Sequence, residues 1–209
     1  MITKYFNTFN TDAAGFAFMW GLAFVFILIL GIVIERGYFV FLRSNINAPR
    51  FMEEIRRLVN AGDLKKAINL CKSAGNRALA IVFLKALEVT AEREVVDFRA
   101  VQNAVDEATL ELIPKLTKRT NFLAMLANVS VLFGLMGTIW GLIISFENVG
   151  SDTAALGMGI STAMFTTLGG LINAIPGMIL YSVIQTKTNN IVDDIDEYSV
   201  KLIHLLTAR

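Results

Sequence analysis

The sequence predicts an all-α membrane protein with three transmembrane helices, whose long helices extend into a cytoplasmic helical domain. Three observations predict this fold class. Of the 209 residues, 55% are apolar and 18% are charged, and the mean hydropathy of +0.57 is too high for a water-soluble domain. Three stretches long enough to cross a bilayer carry no charged side chain. Elsewhere, frequent charges alternate with apolar residues at helical spacing.

The first uncharged stretch covers residues 13–34 and follows an N-terminal segment of residues 1–12. Its 22 residues form a helix about 33 Å long at about 1.5 Å per residue, which is enough to span the hydrocarbon core. The stretch ends in Glu35 and Arg36 rather than in a small-residue cleavage site. We therefore expect a permanent span and not a removable signal peptide.

Residues 35–120 predict a water-exposed helical domain, because charged residues recur every few positions among apolar ones at helical spacing. Gly62 and Asp63 mark a junction between two helices. Glycine tolerates the left-handed conformation at a helix end, and an aspartate side chain accepts the unpaired N–H groups of the next helix. Residues 77–118 are expected to form one long helix.

The second and third spans are predicted at residues 121–146 and 154–186, neither of which contains a charged residue. A short polar turn at 147–153 joins them into a hairpin. The tail at 187–209 resumes amphipathic spacing, and the third span is expected to run on into it as a single helix.

Basic residues are distributed unequally between the two sides of the membrane. Only Lys4 precedes the first span, and the turn between the second and third spans has no basic residue. The basic residues next to the other span ends are Arg36, Arg43, Arg50, Lys115, Lys118, Arg119 and Lys187. The positive-inside rule therefore places the N-terminus outside, and the charged domain and C-terminal tail in the cytoplasm.

Small residues form a stripe along one face of each of the last two spans. In span two the stripe consists of Gly134, Thr138, Gly141 and Ser145 at spacings of 4, 3 and 4. In span three it consists of Gly159, Ala163, Thr167, Gly170, Ala174 and Gly177. Such faces allow close helix packing. The residues assigned to packing are Gly134, Gly137, Gly141, Gly170, Ala174 and Pro176, of which Pro176 is expected to kink its helix.

Hydroxyl groups accompany the small residues. They belong to Thr138 and Ser145 in span two and to Ser161, Thr162, Thr166 and Thr167 in span three. Two interpretations remain open: each hydroxyl bonds its own helix carbonyl, or the group lines a polar path through the membrane.

Composition excludes several classes of function. The net charge of +1 does not indicate a nucleic-acid binder. His204 is the only histidine and Cys71 the only cysteine, so neither a zinc site nor an internal disulfide is expected. No nucleophile–base pair or phosphate-binding loop is visible, so neither an enzyme nor a cofactor is expected.

The last two spans also carry recognisable motifs. Span two contains LFGLMGTIWGLI from Leu132, and span three contains GISTAMFTTLGGL from Gly159, followed by Ala174-Ile175-Pro176 and Tyr181. Over about residues 122–184 the sequence resembles the MotA/TolQ/ExbB proton-channel family, and most of all its ExbB/TolQ branch.

The resemblance implies an inner-membrane homo-oligomer, in the family a pentameric ring, that surrounds single-span partners similar to ExbD or TolR. Proton flow would then drive relative rotation and energise outer-membrane transport or envelope maintenance, with a TonB-like or other envelope-spanning client. The family's pore threonines correspond to Thr138 and Thr167. The full set of residues predicted for the proton path is Thr138, Thr162, Thr167, Ser145 and Thr166.

The sequence departs from the ExbB/TolQ pattern at one position, because Thr162 stands where those proteins commonly carry a glutamate. Neither span contains an Asp, Glu, His, Lys or Arg residue. The resemblance therefore implies that the titrating carboxylate is an aspartate of the partner's membrane helix.

Two alternatives stay open at this point. One is a stator of a gliding or other specialised motility system. The other is a non-conducting membrane scaffold, in which the small-residue stripes serve packing alone.

Overall fold

The structure is a computed structural model that describes residues 9, 16–92, 97–147 and 153–207. Every regular element within these residues is helical. A six-residue π-helical segment, Tyr38–Arg43, directly follows the first helix. The α-helices are α1 (Phe16–Gly37), α2 (Ala48–Asn60), α3 (Leu64–Ala74), α4 (Ala78–Ala91), α5 (Phe98–Thr117), α6 (Thr120–Glu147) and α7 (Thr153–Thr207).

Three helical stretches of the described residues are long and apolar enough to cross a membrane, and they contain α1, α6 and α7. Predicted residues 13–15 of the first span and most of the polar turn, residues 148–152, lie outside the described residues. α7 is unbroken over its 55 residues, so the third span and the tail form one helix, as the sequence indicated.

The chain divides into two compact units. We call the first, residues 1–35 and 119–183, the membrane unit, and the other, residues 36–118 and 184–209, the second unit. α1 and α6 belong mainly to the membrane unit, whereas α2 to α5 belong to the second unit. α7 contributes residues to both.

The core of the second unit is built from large apolar side chains. α4 is buried over most of its length, and its Phe83 stacks on Phe51 of α2 with ring centroids 5.7 Å apart. α2 is amphipathic, with Ile55 and Val59 on the same buried side as Phe51. Burial of these faces against one another removes apolar surface from water and so stabilises the packing of these helices.

The junction between α2 and α3 agrees in part with its prediction. Gly62 adopts a φ of 83°, the left-handed conformation that glycine tolerates at a helix end. The predicted side-chain cap by Asp63 is wrong. Its carboxylate lies 2.7 Å from the Lys66 ammonium and makes no cap hydrogen bond, because the ion pair draws it away from the helix N–H groups.

The prediction of one helix over residues 77–118 is also wrong. α4 ends at Ala91, and α5 begins at Phe98 after an extended residue, Asp97. The Asp97 carboxylate accepts a hydrogen bond from the Arg99 N–H at 3.0 Å, which caps the new helix. Two helices can pack side by side, which one straight helix could not do, and α4 and α5 make the most extensive helix contact in the second unit.

Candidate functional site

α6 presents a narrow buried face made almost entirely of small residues. From Ala127 onward its buried residues are Ala127, Ser130, Gly134, Gly137, Gly141 and Ser145, spaced three or four apart. This spacing keeps them on one side of a helix. The corresponding buried residues of α7 include Ala163, Thr166, Gly170, Ala174 and Gly177.

At the centre of this face the two backbones are in contact. A Cβ added to Gly134 would lie 2.8 Å from the Thr166 carbonyl oxygen and 3.2 Å from the Cα of Gly170. A Cβ on Gly170 would lie 2.5 Å from the Ser130 carbonyl oxygen. Gly141 likewise faces Ala163, with 2.8 Å between an added Cβ and the alanine Cβ. Only glycine allows this approach at Gly134 and Gly170, because the obstructing atoms are backbone.

Of the other residues assigned to packing, Gly137 faces the Thr166 side chain, where an added Cβ would lie 2.7 Å from Oγ1. Ala174 is 2% exposed. Pro176 lies within α7 without ending it and is exposed in this chain. Its ring therefore faces away from the α6–α7 contact.

Two hydroxyls predicted for the proton path lie inside this contact. Thr166 is fully buried, and its Oγ1 donates to the Ala163 carbonyl at 2.7 Å or the Gly134 carbonyl at 3.1 Å. Ser145 is 4% exposed and donates to the Gly141 carbonyl at 2.7 Å. Both hydroxyls are therefore held between helices and bonded to carbonyls.

A second pair of predicted residues meets at the edge of the contact. The Oγ1 atoms of Thr138 and Thr167 are 3.2 Å apart, and both residues are half-buried. Thr138 donates to the Leu135 carbonyl at 2.6 Å. Each hydroxyl has one proton, so Thr167 is the donor when the two hydroxyls bond each other. In that arrangement both oxygens keep lone pairs that can accept a further hydrogen bond.

Thr162 does not join this pair. It lies five residues before Thr167, which is about 140° around a helix of 3.6 residues per turn. Its Oγ1 donates to the Met158 carbonyl of the preceding turn at 3.0 Å. The predicted path residues thus fall into three locations: a buried interior, an edge pair and a separate face.

The sequence argument missed the positions of two polar residues. Ser130 is fully buried on the small-residue face of α6, where it donates to the Leu126 carbonyl, and its spacing of four from Gly134 could have indicated this. The side-chain amide of Asn173 donates to the Leu22 carbonyl of α1 at 2.8 Å, and no sequence pattern indicates that contact.

The site contains no carboxylate, imidazole or amine of its own. Residues 121–146 and 153–186 include no Asp, Glu, His, Lys or Arg, so the contact between α6 and α7 around Thr138 and Thr167 offers hydroxyls and carbonyls. Such groups can hold water or bond a carboxyl group, but they do not exchange protons near neutral pH. Any proton carrier must be supplied by another molecule or by water.

The model of the MotA/TolQ/ExbB proton channel family matches residues 74–197, which is more than half of the chain and includes the site. The chain belongs to this family. The members of this family are proton channels rather than enzymes. Three helices of the described residues are long and apolar enough to span a membrane, so this MotA/TolQ/ExbB protein is a multi-pass protein of the inner membrane.

Individual relatives lie in the ExbB/TolQ branch, as the sequence motifs indicated. This chain is 31% identical to an ExbB-like biopolymer transport protein of Synechocystis, over 77% of this chain and 76% of that protein. It is 31% identical to ExbB of Aquifex aeolicus, over 65% of this chain and 86% of that protein. It is 32% identical to TolQ of Haemophilus influenzae, over 57% of this chain and 56% of TolQ.

The fold is also found in a solved structure of C. jejuni MotAB. That structure superposes with a TM-score of 0.61 at 18% identity, over 93% of this chain and 79% of the MotAB chain. At this level of identity the likeness shows a common fold, which here includes the three candidate spans.

Proposed function

We propose that this protein is the ring-forming subunit of a proton-motive-force-driven motor of the ExbB/TolQ type. Several copies, five as in the related family, surround one or more single-span partner helices that carry an aspartate. The family membership and the edge pair Thr138–Thr167 support this proposal. The motor would energise outer-membrane transport or envelope maintenance through a TonB-like or other envelope-spanning client.

The topology that we propose places the N-terminus outside, and the second unit with the C-terminal tail in the cytoplasm. The basic residue Arg36 lies in the last turn of α1, and the basic residues Arg43, Lys115 and Lys118 lie within a few residues of α1 or α6. Such residues are concentrated on the cytoplasmic side of inner-membrane proteins.

The edge pair, Thr138 and Thr167, is the main support for the proposal. These two residues predicted for the proton path are in hydrogen-bond contact, and both are half-buried. When Thr138 donates to the Leu135 carbonyl and Thr167 donates to Thr138 or to the Gly134 carbonyl, both protons are directed within the protein, and the free lone pairs suit a donor such as a protonated carboxyl. Rotation of the Thr138 hydroxyl away from the Leu135 carbonyl would allow it to donate to an ionised carboxylate instead. The pair can therefore stabilise an aspartate in both of its protonation states.

The aspartate itself must come from the partner, because α6 and α7 supply no carboxylate within their spans. Desolvation within a ring of membrane helices raises the pKa of an aspartate, which brings proton exchange closer to neutral pH. Buried Thr166 and Ser145 act in this proposal by holding α6 and α7 together. Thr162 lies on a separate face and bonds the Met158 carbonyl of its own helix.

Valine substitutions test the role of the edge pair, because valine keeps the shape of threonine and removes the hydroxyl. The T138V and T167V variants are each reconstituted into vesicles with the single-span partner, and proton entry is followed with a trapped pH dye. We expect at least about a tenfold loss of proton flux for each, in line with loss of one hydrogen bond to a charged group. Assembly, read by native mass spectrometry, should not change.

The matched control is T186V, the same substitution at an exposed threonine of the same helix. Its flux should equal that of the unmodified protein. If T138V and T167V conduct as well as T186V, the hydroxyl pair has no part in conduction. If no variant and no unmodified complex conducts, the protein is a scaffold.

A further inference from the structure

The second unit contains a cavity of about 290 Å³ that no part of the proposed motor mechanism uses. Its lining includes the apolar residues Phe39, Ile81, Ala108, Leu112 and Leu116. It also includes the charged groups considered next. A cavity lined by both apolar and charged residues suits an amphiphilic ligand.

Three of the residues that line the cavity are cations: Arg43, Lys85 and Lys115. One carboxylate, Glu111, lies among them, with an oxygen 2.6 Å from the Lys115 Nζ. The hydrogen bond and charge of Lys115, together with the charge of Lys85, lower the pKa of Glu111, so it is ionised at neutral pH. The lining therefore keeps an excess of two positive charges, which favours an anionic ligand.

Ser44 adds a hydrogen-bonding group to the lining. The residue is 2% exposed and lines the cavity. A hydroxyl at this place can donate a hydrogen bond to a phosphate oxygen.

Part of the cavity lining belongs to a segment with the character of a membrane interface. Phe39 and Arg43 belong to the π-helical segment that directly follows α1. On the same segment Tyr38 and Leu42 are 63% and 68% exposed. Exposed aromatic and aliphatic residues beside a span end are typical of residues that contact lipid at the headgroup level.

We propose that this cavity binds the headgroup of an anionic phospholipid. The phosphate lies among Arg43, Lys85 and Lys115 and accepts a hydrogen bond from the Ser44 hydroxyl. The glycerol and the first methylenes contact Phe39, Leu112 and Leu116. The site depends on the protein lying in a membrane and not on proton conduction, so either proposal can fail without the other.

The test is a lipid titration of the purified full-length protein in mild detergent, read by native mass spectrometry. The probe is dioleoyl phosphatidylglycerol, and dioleoyl phosphatidylcholine serves as the lipid without net charge. Each basic residue near an anionic lipid contributes about fivefold in affinity. The double variant R43Q/K85Q should therefore bind phosphatidylglycerol roughly thirty-fold more weakly.

The matched control is R50Q/K118Q, which removes the same charge from two exposed residues outside the cavity. We expect its affinity to stay within about twofold of the unmodified protein. A108L fills the cavity without changing any charge, and it should also reduce phosphatidylglycerol binding while the unfolding temperature stays the same.

Three results would overturn the proposal. Equal losses in the two double variants would mean that the lipid is attracted by general surface charge. Equal binding of the two lipids would mean that the positive charges play no part. Displacement of phosphatidylglycerol by equimolar glycerol phosphate would mean that the site recognises a soluble phosphate ester.

Discussion

In the second unit the largest fully buried side chains include Phe83, Ile55 and Leu87, whereas the α6–α7 contact of the membrane unit buries Gly134, Gly141 and Gly170. The distribution of exposed residues is reversed. α6 exposes Leu132, Ile139 and other large apolar side chains that a water-soluble helix would bury.

The difference follows from the solvent that the proposed topology gives to each unit. In water, burial of a large apolar side chain is favourable, so a compact core uses Phe, Leu and Ile. Lipid tails are as apolar as leucine, so helices gain nothing by hiding large side chains from them. Association then depends on close backbone contact and short hydrogen bonds, which glycine, serine and threonine permit. The predictions below test each half of this comparison separately.

The largest expected effect concerns Cys71, the only cysteine, which lies in the second unit at 1% exposure. Burial, with a smaller effect from the Glu88 charge, raises the pKa of its thiol from 9.0 to about 12. Because the thiolate is the reactive form, iodoacetamide at pH 8 should label the folded protein at least about a thousandfold more slowly than the unfolded protein. Mass spectrometry of the intact chain measures both rates.

The raised pKa of Cys71 also makes the stability of the folded protein depend on pH. Folding favours the neutral thiol, so this contribution to stability is complete below about pH 9 and is lost as the pH rises toward 12. Equal labelling rates in native buffer and in denaturant would mean that Cys71 is accessible. Labelling of this residue reports on the second unit alone.

The next largest effect is expected for F83A in the second unit. Phe83 is fully buried and stacks on Phe51, so its removal leaves a cavity in the large-residue core. The free energy of unfolding should fall by about 4 kcal/mol. The denaturant dependence of Cys71 labelling measures this value. The control F98A removes a half-exposed ring and should lower the free energy of unfolding by less than about 0.5 kcal/mol. Similar losses for both variants would mean that burial of the ring does not determine its contribution to stability.

A smaller but still clear effect is expected for G134A in the membrane unit. Its added methyl group would meet the Thr166 carbonyl and the Cα of Gly170, which cannot move away as a side chain could. We expect α6 and α7 to separate, at a cost of about 2 kcal/mol. Trp20 and Trp140 are the only tryptophans and both lie in the membrane unit, so thermal unfolding followed by tryptophan fluorescence measures the change.

The control for this variant is G31A. Gly31 is exposed on α1, and an added Cβ would meet nothing within 4 Å. Alanine also favours a helix over glycine, so this change should be neutral or slightly stabilising. A G134A variant as stable as G31A would mean that close backbone contact is not what holds α6 to α7.

The same contrast explains what the sequence could predict. The uncharged stretches identify the three spans, because bilayer thickness sets a length that few soluble helices share. The spacing of Gly134, Gly137 and Gly141 identifies a small-residue face, since a helix brings every third or fourth residue to one side. Both signals are local, so a single chain suffices to find them.

Other features depend on tertiary structure and leave no local signal. Thr166 and Thr167 are neighbours of the same residue type, yet one is buried between helices and the other lies at the edge pair. The rotation of α7 about its axis relative to α6 determines which of the two threonines is buried. Arg119 adopts a φ of 67°, a conformation rare for arginine, and its guanidinium lies 2.5 Å from the Glu35 carboxylate. No sequence pattern indicates this turn.

The smallest expected effect concerns the hydrogen bond from Asn173 to the Leu22 carbonyl of α1. N173L keeps the volume of the side chain and removes the donor. Interhelical hydrogen bonds in membranes contribute about 0.6 kcal/mol on average, because a carbonyl inside a helix is already bonded there. We therefore expect the free energy of unfolding, measured by tryptophan fluorescence, to fall by about 1 kcal/mol or less. N128L, the same change at an exposed residue of α6, should cost nothing. A loss for N173L larger than that for G134A would reverse the comparison, because a polar bond would then hold the membrane helices together more strongly than the close contact of their backbones.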